Sequence, residues 1–114
     1  MNSSSRHKHT FELLHHDKDS KIVYCYECQA FHVNYGTVSL DLARTTIESL
    51  IDSLDLNLQL YKGMADSDER CIEIATPYFG IRLLFSFNEL EVLRTLLKDA
   101  YLRIEERLWK SNWN

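Results

Sequence analysis

The sequence contains few of the residues that interrupt regular structure, and it lacks long apolar stretches. Three glycines and one proline in 114 residues exclude collagen-like and low-complexity chains. No apolar run approaches the roughly 20 residues of a membrane-spanning helix, and the polar start MNSSSRHKHT lacks the apolar centre of a signal peptide. These absences predict a folded cytoplasmic protein with no membrane partner.

Cysteine is scarce and the charge is not basic. Three cysteines, an odd number, without an export signal predict reduced thiols instead of a disulfide framework. The net charge of −4 disfavours a broad phosphate-binding surface, so we expect no nucleic-acid partner. We interpret residues 1–9, which include the one basic cluster, as a disordered tail. A single domain over residues 10–108 and a C-terminal tail over residues 109–114 complete the predicted organisation.

The most informative feature present is an internal repeat. Residues 28–54 align without a gap on residues 71–97, with six identities in 27 positions, among them Cys28 with Cys71 and Tyr35 with Tyr78. In both copies the spacing of apolar residues changes from two to about 3.6 at the same place. Each copy therefore predicts two strands followed by a helix, which is a ββα unit.

Turn residues separate the predicted strands. Gly36 and Gly80 can adopt positive φ, and Pro77 favours the start of a turn in the second copy. Ahead of the repeat, FELLHHDKDSKIVYCYE predicts a hairpin that turns at residues 17–20. The predicted fold class is α+β: an antiparallel sheet built from two ββα repeats plus a leading N-terminal strand, with both helices on one face. The predicted core face of the strands carries Val38, Leu40, Leu42, Ile81, Leu83 and Phe85.

The second helix has the clearer start signal. Ser86 followed three residues later by Glu89 predicts a capping box, in which each residue satisfies a backbone N–H of the other. Thr45 and Glu48 predict a similar start for the first helix. Apolar residues at spacings of three and four follow in the second helix and predict a buried stripe: Leu90, Leu93, Leu97, Tyr101, Ile104 and Leu108.

Cys25 and Cys28 have the spacing of half a zinc site. A structural zinc needs four ligands, and His32 and Cys71 are the first candidates to complete the set. Residues three apart in a regular strand point to opposite faces, however, and Tyr26 and Glu27 do not indicate a turn. We therefore expect no cofactor and a packing role for Cys25, with zinc as the alternative.

No set of residues predicts catalysis. A redox-active Cys-x-x-Cys pair normally lies at a helix N-terminus, whereas this pair lies among predicted strand residues. Cys28 and His32 would lie too far apart in a strand to form a nucleophilic pair. We therefore expect that the protein is not an enzyme.

The face opposite the predicted core is a candidate interface. By strand alternation, Tyr24, Tyr26, Cys28 and His32 lie on one side of the first repeat. The interface candidates are Tyr24, Tyr26, His32, Leu84 and Trp109, with Trp113 as a further aromatic that could cover this face. They predict a protein partner or self-association, including a homodimer.

The segments YCYECQAFHVNYGTVSLDL and ATPYFGIRLLFSFNELEVLRTLLKDA resemble a family of small uncharacterised Bacteroidota proteins. Those proteins pair a Cys-x-x-Cys strand with a Phe-Gly-Asn turn and a leucine-rich helix, and Tyr35, Gly36 and Thr37 stand at the turn here. The resemblance covers residues 21–104 and implies a fold unit and a possible cysteine site. The leading hypothesis is a small, non-enzymatic interaction module. The alternative is a zinc-binding or thiol-containing accessory protein that uses Cys25, Cys28 and a third ligand.

Overall fold

The computed structural model describes residues 10–63, 66–76 and 80–111. Its elements, in chain order, are β1 (Phe11–His16), β2 (Ser20–Cys25), β3 (Ala30–Tyr35), β4 (Val38–Ala43), α1 (Arg44–Leu60), β5 (Ile72–Ala75), β6 (Arg82–Phe85) and α2 (Phe87–Ser111). The α+β class, the leading hairpin and both ββα units are confirmed. The predicted N-terminal tail, Pro77, Tyr78 and Trp113 lie outside the described residues.

The strands form two antiparallel sheets. β1, β2, β3 and β4 pair in that order, and β5 pairs with β6 in a second sheet. The strands of the second repeat thus form their own sheet, in which β5 and β6, each four residues long, pair with each other. The chain divides into two compact units, one with residues up to Glu48 and from Asp99 onward, the other Ser49–Lys98.

The first unit has its core on the inner face of the four-stranded sheet. Phe31 lies between Tyr24 and Leu42 in register, and the Tyr24 and Phe31 rings are 4.7 Å apart. The inner face buries Leu14, Ile22, Tyr24, Phe31, Val33 and Leu42. Tyr24 was predicted at an interface, and that prediction is wrong because this side chain is a central part of the core.

The second unit has a smaller apolar layer. In its sheet Ile72 pairs with Phe85 and Ile74 pairs with Leu83, and Ile72, Ile74 and Phe85 are buried. Leu84 lies on the opposite face and is exposed, as the alternation predicts. Ile81, by contrast, precedes β6 and is exposed, so its predicted place in the core is wrong.

The capping box at the start of α2 is confirmed. The Glu89 backbone N–H donates to Ser86 Oγ at 3.0 Å, and the Ser86 N–H donates to Glu89 Oε1 at 2.9 Å. The predicted stripe is buried at Leu90, Leu93, Leu97 and Ile104. These two features fix where the helix begins and which side it buries.

The boundaries of both helices differ from prediction in one place each. α1 begins at Arg44, directly after β4, so Thr45 lies inside the helix and is not its cap. α2 continues to Ser111, so residues 109–111 are helical where we predicted a tail. Within the described ranges, neither helix is long and apolar enough to cross a bilayer.

Candidate functional site

The two nearby cysteines lie in a tight turn that joins β2 to β3. β2 ends at Cys25, β3 begins at Ala30, and these two residues are paired in register. Residues 26–29 reverse the chain, and Gln29 has a φ of 53°, a left-handed conformation that side chains other than glycine rarely adopt. Our prediction that the strand runs through both cysteines is therefore wrong. We call residues 25–29 the dithiol turn.

The turn brings the two sulfurs together. The Cys28 backbone N–H donates to Cys25 Sγ at 3.3 Å, and the Cys28 thiol hydrogen-bonds the same sulfur. That thiol contact is the first cause, with burial second, of a Cys28 pKa above its usual value. Cys25 is buried and Cys28 is exposed. Cys25 and Cys28 therefore do not point to opposite faces of a strand, and the geometric objection to their binding one metal ion is removed.

The beginning of β1 supports the turn from the side. The Tyr26 N–H donates to the Thr10 carbonyl at 3.0 Å, and the Thr10 N–H donates to Glu27 Oε1. Glu27 Oε1 also accepts from Cys25 Sγ at 4.0 Å. Thr10, directly before β1, thus holds the dithiol turn by one backbone–backbone bond and one bond to the Glu27 carboxylate, and this carboxylate also lies next to the buried sulfur.

A groove of about 420 Å³ opens beside Cys28 in the first unit. In it Arg44 donates through Nε and Nη2 to Glu105 Oε2, at 3.0 and 2.5 Å. The Tyr101 hydroxyl donates to Glu48 Oε2 at 2.5 Å, which raises the pKa of Tyr101 to about 12. These charged and polar groups bind one another and line the groove.

The other predicted ligands are held elsewhere. His32 Nδ1 lies 2.7 Å from Asp41 Oδ1 on the face opposite the core, and Cys71 immediately precedes β5 in the second unit. Among residues 10–63, 66–76 and 80–111, no group of three or more His, Cys, Asp or Glu side chains could hold a metal ion. The structure thus brings together Cys25 and Cys28 but adds no third ligand from the described chain.

The outer face of the four-stranded sheet carries apolar residues beside the dithiol turn. Phe11 lies opposite Cys25 in register, and its ring reaches across β2 to within 6.2 Å of the His32 ring. Phe11 and Leu13 are both 55% exposed on β1, a strand at the sheet edge. We call these two residues the β1 patch. Its sequence signal is the alternation of Phe11 and Leu13 with Glu12.

The remaining interface candidates are scattered. Tyr26 is half-buried, and its hydroxyl donates to Glu12 Oε1 at 2.5 Å; burial first and this bond second raise its pKa to about 12. His32 lies on the outer face, Leu84 is exposed on the second sheet, and Trp109 is exposed near the end of α2. The sequence analysis assigned Tyr24, Tyr26 and His32 to one face by counting alternate residues along one strand. The turn at residues 26–29 interrupts that strand, so the count does not carry over from β2 to β3.

Comparison of the sequence with models of protein families assigns the chain to a family. A family of unknown function, DUF6686, matches residues 7–112. The chain belongs to DUF6686. The match spans both compact units, and it agrees with the predicted resemblance to a family without known function. The Bacteroidota range and the motifs of DUF6686 stay predictions. Neither the curated proteins nor the solved structures contain a match.

Proposed function

We propose that this DUF6686 protein is a non-catalytic accessory protein that binds zinc through Cys25 and Cys28. The observation that supports the proposal is the pair of hydrogen-bonded sulfurs across the dithiol turn. Cys25 and Cys28 lie on one tight turn, so their thiols form a chelating pair for a thiophilic ion.

The surroundings of the pair support metal binding over catalysis. A backbone N–H directed at a ligand sulfur is the kind of outer contact that orients metal ligands in proteins. The Cys28 thiol must lose its proton to bind zinc, and its raised pKa opposes that loss. Zinc displaces that proton when it binds, so we expect the apparent zinc affinity to rise with pH.

The position of the pair also disfavours a thiol–disulfide oxidoreductase. In such enzymes the thiolate is stabilised at a helix N-terminus, whereas the dithiol turn joins two strands.

A second candidate function is that of a protein-interaction module. The β1 patch supports it, because two large apolar side chains are exposed together on an edge strand. The net charge of −4 fits a protein partner better than a nucleic acid. Both candidates involve the same end of the first unit.

Zinc titration of the reduced, metal-free protein tests the proposed function. We expect competition with a chromophoric chelator to show tight binding of between one half and one zinc per chain. Cys28→Ser should abolish binding, and because Cys28 is exposed this variant should keep the circular dichroism spectrum of the parent. Cys71→Ser is the matched control and should bind as the parent does. Equal binding by Cys28→Ser and the parent, or no binding by either, would contradict the proposal.

A further inference from the structure

The groove beside Cys28 gives small molecules in solution a route to the dithiol turn. Cys28 is exposed and lines the groove of about 420 Å³ together with Gln29 and residues of the two helices in the first unit. Cys25 is fully buried, so a reagent in solution meets the Cys28 sulfur first. The two thiols therefore differ in access although they belong to one turn.

The turn holds the two sulfurs at a spacing from which a disulfide can close. Residues three apart across a tight turn have Cα atoms less than about 7 Å apart, and disulfides span Cα distances of about 4.4–6.8 Å. The Cys28 N–H donates to Cys25 Sγ at 3.3 Å, and the Cys28 thiol binds the same sulfur. Because the sulfurs are already in contact, closure needs rotation of the exposed Cys28 side chain and no rearrangement of β2 and β3.

We propose that Cys25 and Cys28 are a reversible modification site, at which a small organic disulfide is reduced and an intramolecular disulfide forms. The Cys28 thiolate attacks one sulfur of the reagent, forms a mixed disulfide and releases the first thiol. The Cys25 thiolate then attacks the Cys28 sulfur, and the second thiol leaves. In sum each cysteine loses one proton and one electron, and the reagent takes up both protons and both electrons as two thiols.

The raised pKa of Cys28 slows the exchange in both directions. Only the thiolate attacks a disulfide, so a thiol that is mostly protonated at neutral pH reacts slowly. A sulfur with a high pKa is also a poor leaving group, which slows the opening of the closed disulfide. We therefore expect closure over minutes to hours, as in a lasting modification and not in rapid turnover.

Closure of the disulfide should prevent metal binding at the dithiol turn. Zinc binds thiolates, and neither sulfur of a disulfide is a thiolate. This consequence rests on the proposed function, whereas formation of the disulfide itself does not require zinc. The dithiol turn would bind zinc only while both cysteines are reduced.

Incubation with oxidised glutathione, a tripeptide disulfide, tests the inference. Reduced, metal-free protein is treated with an excess of this reagent, labelled with iodoacetamide and digested with trypsin. The peptide of residues 22–44 contains both cysteines of the turn, and we expect it to be lighter by two hydrogen atoms and to carry no label. Cys71→Ser should give the same peptide. A peptide that keeps glutathione on Cys28, carries two labels or is joined to a second chain would overturn the inference.

Two variants test the order of the steps. In Cys28→Ser the remaining thiol of the turn is buried, and we expect Cys25 to stay unmodified after the same incubation. In Cys25→Ser no thiol lies next to Cys28, and we expect Cys28 to keep one glutathione. Circular dichroism checks the fold of both, and the parent and Cys28→Ser decide the result even if Cys25→Ser unfolds. Modification of Cys25 in folded Cys28→Ser at the rate seen in the parent would contradict the proposed entry through Cys28.

Zinc titration of the oxidised and the reduced chain separates this inference from the proposed function. We expect the oxidised chain to lose zinc binding and to regain it after treatment with a thiol reductant. If the disulfide forms but the reduced chain binds no zinc, the proposed function fails and the modification site stands. If the reduced chain binds zinc but no disulfide forms, the inference fails and the proposed function stands.

Discussion

The backbone N–H of Cys28 and the sulfur of Cys25 are joined by a hydrogen bond of 3.3 Å. This one contact changes how the two cysteines are interpreted, because it requires a turn where alternation along a strand predicted opposite faces. It places an exposed thiol and a buried thiol side by side at one end of a four-stranded sheet. Two thiols held in this way form a chelating pair for a thiophilic ion.

The left-handed conformation of Gln29 makes the dithiol turn sensitive to substitution. Glycine adopts this conformation without strain, although it loses more entropy on folding. We expect Gln29→Gly to change the free energy of unfolding by between zero and about +1 kcal/mol, and Gln29→Val to lower it by about 1–2 kcal/mol. Urea denaturation measures both. A Gly variant clearly less stable than the Val variant would contradict the assigned turn.

The capping box of α2 gives a second prediction. Ser86→Ala removes the acceptor of the Glu89 N–H and should lower the free energy of unfolding by about 0.5–2 kcal/mol. Ser49→Ala on the exposed side of α1 is the control and should change it by less than about 0.5 kcal/mol. Denaturant titration compares them. Equal effects of the two substitutions would show that Ser86 does not cap the helix.

Glu89 should make stability depend on pH. The Arg70 guanidinium, which donates to both carboxylate oxygens, is the first cause of a Glu89 pKa below its usual value, 4.5. A lowered folded pKa contributes stability that is present above the unfolded pKa and is lost as the pH falls through the folded one. Glu89→Gln cannot titrate but keeps an acceptor for the Ser86 N–H.

The measurement is the difference in the free energy of unfolding between the parent protein and Glu89→Gln at several pH values. We expect a constant difference between pH 7 and about pH 5.5, and a smaller one as the pH falls below 4.5. Other carboxyl groups titrate in both proteins and cancel. A difference that does not change down to pH 3 would contradict the pairing of Glu89 with Arg70.

The buried stripe of α2 gives a prediction about packing. Leu93 is 2% exposed, so Leu93→Ala should lower the free energy of unfolding by roughly 2–5 kcal/mol. Leu102 is 54% exposed on the same helix, and Leu102→Ala should lower it by less than about 0.5 kcal/mol. Thermal or chemical denaturation measures both. Similar losses for the two leucines would contradict the burial of the stripe.

Sequence periodicity was reliable where an element was long or had a specific end signal. The buried stripe from Leu90 to Ile104 repeats over several helical turns. Ser86 and Glu89 mark the start of α2, because their side chains bind the first free backbone N–H groups of the helix. The hairpin ahead of the repeat was predictable because Asp17 can accept backbone N–H bonds from Asp19 and Ser20, and in the structure it does so at 2.8 Å.

Periodicity failed at the dithiol turn because the turn has no glycine, proline or asparagine. The chain reverses at Tyr26 and Glu27, and Gln29 accepts the left-handed conformation that glycine would usually take. Pairing with Thr10, sixteen residues before Tyr26, helps to hold this turn, and such a contact cannot be recognised from local sequence. Tyr24 was misplaced for the same reason, since an uninterrupted strand gave it the wrong face.

X-ray absorption at the zinc edge tests the central claim most directly. The measurement uses reduced full-length protein that has been loaded with zinc and dialysed. The account predicts sulfur atoms in the first shell, at about 2.3 Å. A shell of nitrogen or oxygen atoms only, at about 2.0–2.1 Å, or no zinc retained after dialysis, would show that Cys25 and Cys28 do not form a metal site.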